Sequence, residues 1–185
     1  ESRTLEFKQD LQVATDEQKQ EFLSDVTALA NTDGGDIVYG MREEDGVAKE
    51  LMGLKNFSPD GRIAQLENLL RDWVQPRLPG VQIEAFKLSN GNHALLVRVG
   101  RSWTAPHMVR HQGVTRFCGR NTNAKYDLDV QQLRSAFLGS EGMADRLRNF
   151  RLDRINKLVS VSAPVTLTTQ HLIVIHVLPV VSARP

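Results

Sequence analysis

Residues 30–41 read ANTDGGDIVYGM, and this stretch decides the fold that we expect. Asn31 to Gly35 is a turn cluster in which the glycines can adopt positive φ, and Asp36 to Met41 is short, apolar and β-branched. The two glycines lack the Gly-x-x-x-x-Gly-Lys-Ser/Thr spacing of a phosphate-binding loop, so we interpret them as a strand-entry turn. The stretch therefore predicts a loop followed by a buried strand.

Residues 1–8, ESRTLEFK, predict a second strand upstream of this turn. Its residues alternate, which places Leu5 and Phe7 on one face and Glu6 and Lys8 on the other. We expect a half-buried strand from which Glu6 and Lys8 point outward.

The remaining sequence predicts further strands and helices. The predicted helices are one over 16–30 capped by Thr15 or Asp16, one from Pro59 to before Pro76, one from Asp127 or Asp129 that Gly139 ends, and a basic one over 141–158. The predicted strands are a return strand near 50–54 and strands at 81–88, 94–99, 114–118 and 171–178. These elements predict an α+β fold in which a mixed β-sheet packs against helices. We divide the chain into a domain at 1–138, a basic connecting helix at 139–160 and the start of a further region or a dimerisation strand at 161–185.

The composition excludes several classes of protein. With 185 residues, 41% hydrophobic residues and a net charge of +1, the chain has the composition of a folded domain and not of a disordered tail. Cys118 is the single cysteine, which excludes an intramolecular disulfide and a cysteine-rich zinc site and fits a cytoplasmic protein. No apolar run approaches the ~20 residues that cross a bilayer, so we expect no membrane partner.

Acidic residues beside the two predicted strands suggest a metal site. If these strands are neighbours, Glu1, Glu6 and Glu43 converge together with Lys8. Clustered carboxylates repel one another and stay ionised together when a hard cation such as Mg²⁺ or Mn²⁺ binds them. Such a cation can activate water and neutralise a phosphate, while a lysine steadies the developing charge. The alternative is that these acids are solvated strand ends and that Lys8 is their surface ion-pair partner.

Basic residues also gather in the region 98–120, with Trp103, His107 and His111 between them. They are Arg98, Arg101, Arg110, Arg116 and Arg120. Cations that meet phosphates and rings that stack on bases suit single-stranded or looped RNA. The alternative is a solvated, arginine-rich hairpin. The basic helix at 141–158 leaves the same choice between a solvated face and phosphate binding.

Four segments together resemble the AlbA-type domain of the Schlafen family and its bacterial relatives over about residues 1–138. They are ESRTLEFK, LSDVTALANTDGGDIVYGM, ELMGL and APHMVRHQGVTRFCGRNTNAKYDLDVQQL. The resemblance implies an α+β domain that binds nucleic acid. In the vertebrate relatives it implies an endoribonuclease that cuts structured RNA such as tRNA with three carboxylates and a divalent cation.

The resemblance places those carboxylates at Glu1, Glu6 and Glu43. Glu43 stands where the family has an aspartate, the structural zinc cluster of the vertebrate proteins is missing, and this chain has one lobe where those proteins have two. A homodimer would supply the second lobe. We therefore expect a metal-dependent endoribonuclease that uses Mg²⁺ or Mn²⁺, with Lys8 as an electrostatic helper. The alternatives are a non-catalytic DNA- or RNA-binding module of a transcriptional regulator and a structural domain that dimerises through its tail strand.

Overall fold

A computed structural model of the chain describes residues 2–44, 46–122, 124–159 and residue 175. Within these residues the elements are β1 (Leu5–Lys8), α1 (Asp16–Asn31), β2 (Gly34–Tyr39), β3 (Met41–Glu44), β4 (Val47–Leu51), α2 (Pro59–Trp73), β5 (Val74–Gln75), β6 (Gln82–Lys87), β7 (His93–Gly100), β8 (Met108–His111), β9 (Val114–Arg116), β10 (Cys118–Arg120), β11 (Lys125–Asp127) and α3 (Val130–Val159). The chain divides into two compact units, Glu1–Arg134 and Ser135–Pro185.

A four-stranded mixed sheet in the order β1-β2-β7-β6 is the centre of the first unit. β1 runs parallel to β2, and β7 pairs antiparallel with both β2 and β6. Three smaller sheets accompany it: the β3-β4 hairpin, β5-β8-β9 and β10-β11. This mixture of sheets and helices confirms the predicted α+β fold. The structure also shows that the strand of ESRTLEFK and the strand of ANTDGGDIVYGM are neighbours, which the sequence left open.

Helix α1 covers one face of this sheet. Its first turn is closed by a capping box in which the Thr15 hydroxyl accepts from the Gln18 backbone and the Gln18 side chain accepts from the Thr15 backbone. Its apolar residues, among them Phe22 and Leu29, pack with Ile37 and Val97 in the core. The helix and its predicted cap are therefore confirmed.

The orientation of β1 differs from the prediction. Because Glu6 is paired with Ile37 and Lys8 with Tyr39, these side chains share the sheet face that holds the core. Glu6 is buried, whereas Leu5 and Phe7 are half-buried on the opposite face. The expectation that Glu6 and Lys8 point outward is wrong, because both charges find partners of opposite sign beneath α1, which the alternation of residues cannot reveal.

The two glycines of the turn permit close packing of three backbone segments. A Cβ on Gly35 would lie 2.2 Å from the carbonyl oxygen of Thr4, and one on Gly34 would lie 2.5 Å from the backbone nitrogen of Arg101. Both residues have positive φ, at 150° and 75°. The predicted strand-entry turn is confirmed, and it needs glycine for lack of space as well as for its conformation.

Helix α2 and the β6-β7 hairpin also follow the prediction. Pro59 stands at the start of α2 after Ser58, and β6 and β7 pair from Gln82 to Lys87. The predicted strand at 114–118 is divided into β9 and β10, and the sequence does not predict the short strands β3, β5, β8 and β11. Strands of two to four residues carry too little periodicity to be recognised in a sequence.

Helix α3 is continuous where the sequence predicted two helices. Asp129 Oδ1 accepts a hydrogen bond from the Gln132 backbone at 2.8 Å, which confirms Asp129 as the cap. Gly139 lies inside the helix, so the predicted stop at this residue is wrong. A glycine ends a helix when it adopts positive φ after the last turn; within a helix it costs only about 1 kcal/mol relative to alanine.

The strand predicted at 171–178 lies outside the described residues except for Ile175, which is exposed and outside regular structure. Among the described residues, no helix is both long enough and apolar enough to cross a membrane.

Candidate functional site

Six charged side chains form one network at the interface of β1, α1, β10 and β11. This ion-pair cluster consists of Glu6, Lys8, Glu21, Asp25, Arg120 and Lys125. Glu21 and Asp25 are four residues apart on α1 and therefore lie on the same side of the helix. With three acids and three bases, the cluster carries no net charge when every group is ionised.

Asp25 occupies the middle of the ion-pair cluster. Its carboxylate is 2% exposed and lies 2.9 Å from Lys8 Nζ and 2.6 Å from Lys125 Nζ. Glu21 lies 2.9 Å from Lys125 Nζ at the exposed side of the cluster. A buried carboxylate needs partners, and those of Asp25 come from β1 and β11. These ion pairs therefore join the two strands to helix α1.

Glu6 lies at the buried end of the cluster, and both of its oxygens have cationic partners. Oε1 lies 3.2 Å from Lys8 Nζ, and Oε2 accepts a hydrogen bond from Arg120. The Arg120 side chain is only 6% exposed and also reaches the carbonyl oxygen of Ser2 at 3.5 Å. The described partners of Glu6 are therefore an ammonium and a guanidinium group.

Burial and neighbouring charges shift the protonation equilibria of this cluster. Burial alone would lower the pKa of Lys8, but the carboxylates of Asp25 and Glu6 outweigh it and raise that pKa above its ordinary value. Burial and the charge of Glu6 raise the pKa of Asp25, against the opposing effect of Lys125 and Lys8. Burial alone would raise the pKa of Glu21, but its hydrogen bond to Lys125 lowers it. Lys8 is consequently a fixed positive charge at neutral pH.

The three carboxylates predicted to hold a metal ion have different surroundings. Glu1 lies outside the described residues. Glu43 lies on β3, where its Oε1 accepts from the Gly46 backbone at 3.2 Å while its Oε2 is buried without a described hydrogen-bond partner. Within the part of the chain that the structure describes, no three His, Cys, Asp or Glu side chains form a group that could hold a metal ion. The three-carboxylate site stays a prediction. The buried Oε2 of Glu43 is an acceptor atom that a bound cation could contact.

The five arginines of region 98–120 do not form one surface. Arg98 pairs with Asp36 at 2.8 Å on the face of the central sheet opposite α1. Arg116 on β9 pairs with Asp127 on β11 at 2.9 Å. The pairing of Val109 with Arg116 and of Arg110 with Thr115 puts Arg110 and Arg116 on opposite faces of their sheet. The expectation that Arg120 contacts nucleic acid is wrong for this structure, because its guanidinium is buried against Glu6.

The segment between β7 and β8 presents an exposed ring beside a cation. Trp103 is 53% exposed and Arg101 is exposed two residues away, with its guanidinium 3.4 Å from Asp33. His107 and His111, predicted to interleave with the arginines, are instead buried. Trp103 is therefore the ring of this region that a ligand can reach.

Hydrogen bonds beneath Trp103 hold this segment in place. The Ser102 backbone donates to the Ala30 carbonyl at 2.9 Å, and the Ser102 hydroxyl lies 2.6 Å from His107 Nε2. Asn31 at the end of α1 receives the His107 backbone N–H and donates back to the His107 carbonyl at 2.9 Å. Trp103 therefore lies on a loop that these hydrogen bonds fix in place.

The sequence pattern did not single out three members of the ion-pair cluster, Glu21, Asp25 and Lys125. Asp25 had a usable signal, because it lies at helical spacing from Phe22 and Leu29 on the apolar side of α1, where an acid needs a partner. Lys125 had none, since it belongs to a three-residue strand that sequence periodicity cannot identify.

One family model and two solved structures match this chain. The family model described as "Schlafen, AlbA_2" matches residues 1–129, well over half of the chain. No curated protein is significantly similar to this chain.

Two solved structures are similar to this chain. The DIP2311 protein from Corynebacterium diphtheriae is 16% identical over 69% of this chain, with a TM-score of 0.49, and the chain spans only 25% of that protein. The N-terminal domain of a putative ATP-dependent DNA helicase RecG-related protein from Nitrosomonas europaea is 19% identical over 70% of this chain and 85% of that domain, with a TM-score of 0.47. With its family model matched from the strand of ESRTLEFK to the start of α3, this chain belongs to the Schlafen AlbA_2 family.

Proposed function

We propose that this chain is a nucleic-acid-binding domain that engages single-stranded or looped RNA. Membership of the Schlafen AlbA_2 family supports a nucleic-acid-related role. The observation that carries the proposal is Trp103, an exposed tryptophan on a loop fixed by hydrogen bonds, two residues after the exposed Arg101. A ring of this kind stacks on a base and a neighbouring guanidinium meets a phosphate, without requiring a particular base sequence.

The experiment is a binding titration of a fluorescein-labelled oligouridine with wild type and Trp103→Ala. Stacking on one aromatic side chain is worth about 1–3 kcal/mol per base, so we expect the variant to bind about 5- to 150-fold more weakly. Phe86→Ala is the matched control, since Phe86 is 49% exposed on β6. Equal affinities of wild type and Trp103→Ala would contradict the proposal.

We further propose that the domain cleaves its RNA, including tRNA, with Mg²⁺ or Mn²⁺ held by Glu1, Glu6 and Glu43. The specific observation in favour is the buried Oε2 of Glu43 that lacks a described hydrogen-bond partner. A bound cation would supply an activated water and neutralise phosphate charge. Lys8, protonated because of Glu6 and Asp25, would stabilise negative charge on the phosphate. A homodimer would provide two such sites.

The cleavage test uses mixed tRNA with Mn²⁺, with and without EDTA. We expect metal-dependent fragments from wild type and from the control Glu44→Gln, and none from Glu43→Gln. Glu6→Gln is preferable to Glu6→Ala, because an amide can still accept the hydrogen bond of the buried Arg120. Bound but uncut RNA with wild type would leave a non-catalytic DNA- or RNA-binding module, the alternative function.

A further inference from the structure

A cavity of about 290 Å³ lies between the segment that follows β1 and the loop that joins β4 to α2. Its walls combine the apolar side chains of Leu11 and Phe57, the cations of Lys55 and Arg62, and the carboxylate of Asp10. The volume lies near the lower end of the ~300–1,000 Å³ that small-molecule sites occupy, so it suits a part of a nucleotide more than a large ligand.

The loop side of this cavity is preformed. The Gly53 backbone donates to the Gly40 carbonyl at 2.9 Å, and the Leu54 backbone donates to the His93 carbonyl at 2.7 Å. The side-chain amides of Asn90 and Asn92 both donate to the Met52 carbonyl at 2.9 Å. These bonds fix the loop to the end of the central sheet, and a fixed wall reduces the entropy lost when a ligand binds.

The lining groups indicate the chemistry of the ligand. Two cations against one carboxylate favour an anion, and the ring of Phe57 is held in place by a tilted contact with His93 at 6.0 Å between centroids. A ligand that pairs an anionic group with a flat, weakly polar ring satisfies both features. A nucleotide has this composition, with its phosphate for Lys55 and Arg62 and its base for Phe57 and Leu11.

We propose that this cavity binds one nucleotide of a single-stranded nucleic acid, with the phosphate on Lys55 and Arg62 and the base over Phe57. The Gly40 backbone donates to the Lys8 carbonyl at 2.8 Å, so the wall of the cavity adjoins the strand end that carries Lys8. A strand seated here passes beside the ion-pair cluster. This inference rests on the proposed nucleic-acid binding and names the part of the surface that receives the strand.

The test compares Lys55→Ala/Arg62→Ala with the control Lys49→Ala/Arg71→Ala, which removes the same charge from outside the cavity. The probes are a fluorescein-labelled oligouridine and UMP, and the circular dichroism and melting temperature of each variant verify folding. For single strands, log Kobs changes with log[salt] by about 0.7 per phosphate contact. We expect the cavity variant to bind the oligouridine at least ~10-fold more weakly than the control at low salt, with a slope smaller by about 0.7, because Lys55 and Arg62 share one phosphate.

The outcomes separate this inference from the function on which it rests. If wild type binds oligouridine and the two double variants bind it equally, the cavity assignment is wrong and RNA binding stands. If wild type binds no oligouridine but binds UMP, and only the cavity variant loses UMP, the site takes free nucleotides and the strand-binding proposal is wrong. Loss of oligouridine affinity in the cavity variant alone supports the proposal.

Discussion

Asp25 is the residue on which the ion-pair cluster depends. It lies between Lys8 and Lys125 and is 2% exposed, so its removal leaves two partly buried ammonium groups with fewer partners. Breaking a buried ion pair by removing one partner costs more than a surface pair contributes, because the remaining charge stays desolvated. Glu6 and Arg120 have the same relationship at the other end of the cluster.

Asp25→Ala should lower the free energy of unfolding by about 3–5 kcal/mol, the usual cost of breaking a buried pair. Urea denaturation followed by circular dichroism measures this change. Asp10→Ala is the control, since Asp10 is exposed, and it should shift the value by no more than about 0.5 kcal/mol. A similar small loss for Asp25→Ala would mean that the cluster contributes little to stability.

Stability should also depend on pH through Asp25. Its pKa in the folded state is raised above the ordinary value of 3.8, so above that pH the folded state retains a proton that the unfolded state has released. The contribution of this residue to the free energy of unfolding therefore falls as the pH rises from about 4. Wild type should lose stability relative to Asp25→Asn over the pH range above about 4 in urea titrations. A difference that is constant across this range would contradict the raised pKa.

At the scale of elements, α3 shows how a short-range signal can mislead. Gly139 follows an apolar run and is an ordinary candidate for a helix end, yet the helix continues to Val159. Asp129 caps the start of the helix, and no positive φ occurs at Gly139.

Gly139→Ala should stabilise α3, because alanine is favoured over glycine within a helix by about 1 kcal/mol and the added methyl group meets open space. We expect greater ellipticity at 222 nm and a higher melting temperature. If Gly139 ended the helix with positive φ, the same substitution would be destabilising. Gly35→Ala serves as the contrasting variant and should destabilise the protein, since its methyl group would collide with the Thr4 backbone.

At the scale of the whole molecule, positive charge is distributed unevenly. Residues 1–134 contain 17 Lys and Arg against 19 Asp and Glu, whereas residues 135–185 contain six against three. The matched domain is therefore slightly acidic, so the nucleic-acid binding that we propose would depend on local groups such as Arg101, Lys55 and Arg62. The second unit carries the excess of positive charge, on α3.

Arg151→Gln/Arg154→Gln tests whether α3 contributes phosphate contacts in the full chain. We expect the slope of log Kobs against log[salt] for an oligouridine to become smaller by about 1.4, at 0.7 for each lost contact. Lys19→Gln/Arg71→Gln removes two charges from α1 and α2 and should leave the slope unchanged. Equal slopes in both variants would show that the basic face of α3 is merely solvated.

The sequence by itself determined the α+β class, the capped helix α1 and the turn at Gly34 and Gly35. These features depend on local periodicity, caps and glycine conformations, which neighbouring residues encode. Only the tertiary structure decided that Glu6 and Lys8 face α1, that Arg120 is buried, and that Asp25 and Lys125 join them. Those facts depend on pairings between residues 17 to 114 positions apart, and the direction in which a charged side chain points follows from the partner it finds there.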